Sequence, residues 1–198
     1  RASHEADGDQ MREAFDLACA AAALTHGHPT GQLSSGVFAA VVLRLLRGVS
    51  LRQSIDEAIV ILLGQPHHEE TLAAVRDALR LAQAQPRSAD AVRQLGEGWV
   101  AEEALSISLY CALTADDFRS GVTLAVNHGG DSDSTGSMVG QLLGAIHGDG
   151  AIPASWLEEL ELRDLIAEMA EDLAAVTEWN LEEMGEESDW YSARYPGW

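Results

Sequence analysis

The chain has 198 residues, 46% of them apolar, enough to bury a real core and too many for a disordered polypeptide. Its formal net charge is -20 and all 12 basic residues are arginine, which excludes a nucleic-acid backbone as partner and leaves an anionic ligand in need of intervening cations. No apolar run is long enough to span a membrane and no signal-peptide pattern is present; the expected location is cytoplasmic, with Cys19 and Cys111 as buried free thiols of a reducing compartment.

Residues 1–8 are polar and read as loose. From about Asp9 the spacing of Met11, Phe15, Leu17, Ala18 and Ala22 predicts a helix, broken beyond Thr25 by His26, Gly27, His28 and Pro29. A helix over 33–47 stops at Gly48, and Ser50 caps the next, over 51–63, which Gly64 ends. Leu72, Val75, Leu79 and Leu81 mark a helix over 69–83, after which 86–90 is linker with a short helix beyond it. Gly96 and Gly98 precede a helix over 100–113. Thr114 and Asp117 then resemble a capping box with Asp in place of the usual Glu or Gln, and a helix over 117–126 follows. Past Ile152 and Pro153 come two helices, over 154–160 and 162–179. No segment alternates with period two, and neither repeats nor a domain boundary are visible, so the fold class is all-α, a single domain over 1–198. Between Glu158 and Asp189, 13 acidic residues face one basic residue, Arg163, which reads as a solvated face. Trp190, Tyr191, Tyr195 and Trp198 are the expected anchors of the 185–198 tail, on this chain or another.

The chain is organised around 127–148, NHGGDSDSTGSMVGQLLGAIHG. Its second half predicts a helix with Gly136, Gly140 and Gly144 along one edge and Met138, Leu142 and Ile146 on other faces, a buried helix that needs close neighbours at its glycines. Its first half is a loop in which Asp131 and Asp133, spaced i, i+2, are followed by the hydroxyls of Ser134 and Thr135. Such hard oxygens suit Mg²⁺, Mn²⁺ or Ca²⁺ rather than zinc. Capping of the following helix is the alternative for both aspartates. Gly129 and Gly130 permit unusual backbone angles and close approach of a ligand to the main chain. His128 adjoins the loop and is placed to orient it. His26 and His28 suit the end of the first helix, and Trp99 is either a stacking platform or a core residue. Glu102 and Glu103 favour the positive end of their helix, and His67 and His68 read as surface residues. No Ser-His-Asp or Cys-His arrangement and no phosphate-binding GxxxxGK[ST] run is legible.

The 127–148 segment resembles the C-terminal metal motif of the ADP-ribosylglycohydrolases, the group that includes the dinitrogenase-reductase-activating glycohydrolase. LTHGHPTGQLSSGVFAAVV (24–42) and LGEGWVAEEALSISLYCAL (95–113) are similar to two further blocks of that family, in the same order, so the resemblance covers about 11–180. It implies a compact multi-helix bundle, here lacking the upstream helices, and a binuclear Mg²⁺ or Mn²⁺ centre. Asp131 and Asp133 would be the catalytic carboxylates and, with Ser134, the metal ligands. His26, Trp99, His128, Gly129 and Gly130 would bind substrate. The implied reaction removes ADP-ribose from a modified side chain, arginine above all, on a protein or a small ADP-ribosyl compound. The family's Gly-Asp-Ala-type start and Thr-Asp-Asp-Thr-type metal motif do not occur here. The chain therefore reads as a fragment or processed product, a weak metal binder and poor hydrolase alone, with an upstream fragment of the same protein as a partner. The alternative is a non-catalytic relative serving as a structural or protein-binding module, as the family's lens crystallins imply.

Overall fold

The computed structural model describes residues 2–176, 190 and 193–195, with backbone alone for 2–7. Every regular element among them is helical: α1 (Ala2–Ala23), α2 (Pro29–Leu46), α3 (Leu51–Leu63), α4 (Glu69–Ala84), α5 (Ala89–Leu95), α6 (Ala101–Thr114), α7 (Phe118–Val126), α8 (Ser132–His147), a 3-10 turn (Asp149–Ala151), α9 (Ala154–Glu158) and α10 (Arg163–Ala175). None is long and apolar enough to cross a membrane. The chain divides into two compact units, Arg1–Pro153 and Ala154–Trp198.

Helix α1 starts at Ala2 rather than near Asp9. Only Gly8 in that stretch opposes a helix, and a started helix propagates cheaply. Met11 and Phe15 are buried on it whereas Leu17 is exposed. Helices α1 and α2 pack closely at Gly36, where an added Cβ would lie 2.6 Å from Cys19 Sγ. Ser50 caps α3 through the Gln53 N–H, and Ser88 caps α5 through the Ala91 N–H. The capping box lies one turn beyond its expected place: Asp117 is the N-cap of α7 and accepts from Ser120 N at 2.7 Å, while Ser120 Oγ accepts from Asp117 N. Thr114 instead closes α6, its hydroxyl donating to the Tyr110 carbonyl.

The buried helix is α6, not the glycine-edged one. Every residue from Ala104 to Ala112 is buried, and α6 packs against α2, α4, α7 and α8. Tyr110 is fully buried; its hydroxyl donates to the Gln85 carbonyl at 2.5 Å and accepts from Ser88 N at 2.8 Å, fixing the α4–α5 connection. Neighbouring Cys111 is a free thiol pushed up to about 12 by burial, whereas Cys19, also free, is only half-buried. Helix α8 buries one face, Thr135, Gly136, Val139, Leu142 and Leu143, and exposes Asp133, Ser134, Ser137, Gln141 and Ile146. Of its glycines only Gly136 is tightly opposed, 2.5 Å separating an added Cβ from Val126 Cγ1; Gly140 has Phe118 at 4.0 Å and Gly144 meets nothing.

In the second unit neither α9 nor α10 buries a side chain. Asp172 on α10 accepts from Tyr195 Oη and Arg194 Nε, each at 2.5 Å, and these contacts hold its carboxyl below the usual range. Arg194 also stacks over Trp190, 5.0 Å from its ring centroid. Tyr191 and Trp198, the other expected anchors, and the acidic residues of 177–189 lie outside the described residues.

Candidate functional site

All three sequence blocks line one cleft of about 960 Å³ in the first unit. The first contributes His26, Thr30 and Ser34, the second Trp99 and Glu102, the third Asp131, Ser134 and Met138, and α4 adds Glu70. Four helices begin beside it, α2 at Pro29, α4 at Glu69, α6 at Ala101 and α8 at Ser132, so their positive ends gather there. Carboxylates occupy the first turns of three of them, and no arginine is among the lining residues. A phosphate-bearing ligand therefore meets fixed negative charge unless cations lie between.

Asp131 stands at the N-cap of α8, yet its side chain makes no capping bond. The neighbouring Asp131 side chain, with the Asp133 and Ser134 backbone N–H groups, holds the Asp133 carboxyl below the usual carboxylate range. Capping by the Asp131 side chain, one of the two readings open in the sequence, is therefore not made. Two adjacent carboxylates and the Ser134 hydroxyl are the hard oxygen donors a Mg²⁺ or Mn²⁺ ion takes, so this donor set fits such an ion. Asp133 is exposed on the first turn of α8 and does not line the cleft, whereas Asp131 and Ser134 do. Among the described residues no three or more His, Cys, Asp or Glu side chains converge on a metal position.

Gly129 and Gly130 have ordinary negative φ. The requirement for glycine at 130 is steric: an added Cβ would lie 1.7 Å from the Glu97 carbonyl oxygen, while Gly129 meets nothing. The same carbonyl accepts the Asp131 N–H at 2.8 Å, tying the second block to the third. His128 points inward: Gly130 N donates to its Nδ1 at 3.2 Å, which leaves the proton on Nε2, donated to Thr135 Oγ1 at 2.9 Å. Fully buried Thr135 in turn donates to the Ala125 carbonyl at 2.9 Å. His128, Gly129 and Gly130 shape the loop and are not among the lining residues.

His26 lines the cleft and is braced by Thr25 Oγ1, 2.8 Å from its Nδ1, and by Gln32 Nε2, which donates to its carbonyl at 2.8 Å. His28 caps the start of α2, accepting from Thr30 N, rather than the end of the helix before it. Trp99 is 67% exposed, which removes the core-packing reading, and its Nε1 donates to Glu97 Oε2 at 3.2 Å. Sequence reasoning missed Glu103. Its Oε2 accepts from both Glu97 N and Gly98 N at 3.0 Å, gathering the loop whose Gly96 and Gly98 lie at φ of 117° and 81°. Two closely spaced glycines just before a Glu-bearing first turn were the available signal.

An all-helical scaffold with a carboxylate loop at the mouth of a helix-lined cleft defines the class: an all-α protein whose helix starts surround one small-molecule-sized cleft. A sequence profile described as ADP-ribosylglycohydrolase matches residues 2–182, and the chain belongs to that family. An ADP-ribosylarginine hydrolase, Tri1, of Serratia proteamaculans is 34% identical over 71 residues, 36% of this chain and 19% of that protein. The ADP-ribosyl-[dinitrogen reductase] glycohydrolase of Rhodospirillum rubrum is 40% identical over 55 residues, 28% of this chain and 19% of that protein. Tri1 of Pseudomonas putida is 28% identical over 141 residues, 63% of this chain and 37% of that protein. The chain thus spans between 19% and 37% of the length of these relatives.

Proposed function

We propose that this chain forms the ADP-ribose side of a hydrolase that removes ADP-ribose from a modified side chain, the arginine adduct being the first substrate to test. The observation that carries this reading is the convergence of His26, Trp99, Asp131 and Ser134, from three separate family blocks, on one cleft. Net hydrolysis breaks the bond from the ribose anomeric carbon to the acceptor nitrogen, adds water oxygen to that carbon and returns a proton to the nitrogen. Asp131 and Ser134 meet the ligand at the helix start, and Trp99 offers an exposed ring face on which a flat group stacks. His26 is braced by Thr25 and Gln32 and so presents its ring in one orientation. Asp131, Asp133 and Ser134 are the residues that would hold Mg²⁺ or Mn²⁺. A bound divalent cation supplies polarisation of ligand oxygens and compensation of the negative charge that this acidic cleft cannot itself compensate. Replacing both carboxylates, Asp131→Asn with Asp133→Asn, in the native full-length polypeptide is expected to slow ADP-ribose release from ADP-ribosylarginine by at least about a hundredfold. Release at the wild-type rate would end this reading.

A further inference from the structure

Ser34 is a buried hydroxyl on the cleft wall that has no hydrogen-bond partner among the described residues. It is 3% exposed and lines the cleft, and among the described residues its Oγ makes no hydrogen bond. A serine inside a helix ordinarily turns back to the carbonyl four residues earlier. Ser35 does so to Gly31, Ser54 to Ser50 and Ser108 to Ala104. Ser34 does not, and an unpaired buried hydroxyl costs stability. Among the described residues Thr71 is the other hydroxyl left in this state, and it is not among the lining residues.

One turn before Ser34 on the same wall, Thr30 donates to Glu70 Oε2 at 2.5 Å across from α4. Thr30 is also 3% exposed, and both partners line the cleft. Glu70 Oε1 has no hydrogen-bond partner among the described residues. This wall therefore offers a free carboxylate oxygen, which only accepts, and a free hydroxyl, which both donates and accepts. A phosphate would face the Glu70 charge with no cationic side chain among the lining residues to offset it. A sugar hydroxyl satisfies both groups, donating to Glu70 and exchanging a hydrogen bond with Ser34. Carboxylates bind ribose hydroxyls elsewhere in this way.

We propose that Thr30, Ser34 and Glu70 form a ribosyl-hydroxyl subsite of the cleft. The proposal rests on the ADP-ribose reading above. It assigns Ser34 and Glu70 as ligand-contacting residues and Thr30 as the residue that positions Glu70.

Calorimetric titration of the 198-residue chain with ADP-ribose in excess Mg²⁺ tests it. Ser34→Ala is expected to weaken binding about 3–10-fold and Glu70→Gln about tenfold or more, the ranges for a neutral and a charge-assisted hydrogen bond. Removing an unpaired buried hydroxyl should at the same time leave the Tm of Ser34→Ala unchanged or raise it. Inorganic pyrophosphate, which carries no sugar, should bind wild type and both variants alike. Wild-type ADP-ribose affinity in Ser34→Ala would overturn the subsite alone. So would a lowered Tm, which would make the hydroxyl structural, or weaker pyrophosphate binding in Ser34→Ala, which would make the wall a phosphate site. A wild-type chain that takes up no ADP-ribose would overturn the functional reading and the subsite together.

Discussion

Two backbone N–H groups, those of Glu97 and Gly98, share one carboxylate oxygen of Glu103, and the Glu97 carbonyl beside them accepts the Asp131 N–H. The Gly96–Trp99 loop is thereby stretched between the first turn of α6 and the start of α8. Glu103 touches neither cleft nor ligand position; it acts through the loop, which sets where Asp131 and Trp99 stand. Glu103→Ala leaves two loop donors without their acceptor and should cost about 1–3 kcal/mol. Glu103→Gln, which keeps one carbonyl oxygen, should recover part of that loss. Chemical denaturation reads the energies, and amide resonances of Glu97, Gly98 and Asp131 read the position of the loop. All three should move in Glu103→Ala and move less in Glu103→Gln. An Asp131 resonance that stays in place would show that the loop does not transmit the change. Gly130 belongs to the same junction, since any side chain there would run into the Glu97 carbonyl.

At the scale of the element, the glycines of α8 show how a repeated residue can have unlike reasons. Gly136 faces Val126 at a distance no Cβ tolerates, whereas the position at Gly144 is open. Gly144→Ala should therefore gain the helix-propensity difference, about 0.8–1 kcal/mol. Gly136→Ala should lose about 1–2 kcal/mol, because branched Val126 has little rotamer freedom with which to yield. Thermal and denaturant unfolding of the two variants would test the contrast, and equal shifts would contradict it. An i, i+4 glycine stripe predicts a close neighbour, but it cannot say which glycine has one, because the neighbours arrive from α7, distant in no simple pattern. Helix existence was more legible: Ser50 caps where a short polar side chain before an apolar period says it should, whereas Ser88, read as part of a linker over 86–90, caps a helix that already begins at Ala89. The burial of α6 was not, because Ser106, Ser108 and Thr114 give it a polar look, although Ser108 and Thr114 satisfy their hydroxyls on their own helix and leave it fit for a core. The site divided in the same way. Spacing singled out Asp131 and Ser134, and the family resemblance pointed to His26 and Trp99, whereas Ser34, Glu70 and Glu103 become visible only when separate helices are brought together.

For the whole molecule, the question is how complete a cation site this chain can build. A divalent ion such as Mg²⁺ fills an octahedron of oxygens, and a protein that holds two of them firmly must supply several carboxylates in fixed positions. Asp131, Asp133 and Ser134 are three donors, and among the described residues no further carboxylate or imidazole joins them. The same three donors cover the start of one helix, so they can change direction together only slightly. At a net charge of -20 the chain also gathers cations diffusely, an attraction that added salt screens and a true site does not lose. Titration calorimetry with Mg²⁺ and Mn²⁺ at about 0.15 M salt should therefore find binding to the 198-residue chain weaker than micromolar. The small heat that remains should disappear in the Asp131→Asn, Asp133→Asn variant. Micromolar binding that the double variant abolishes would show that these residues, as they stand, already form a full cation site. Micromolar binding that survives in the variant would place the site elsewhere in the molecule and detach the paired aspartates from it.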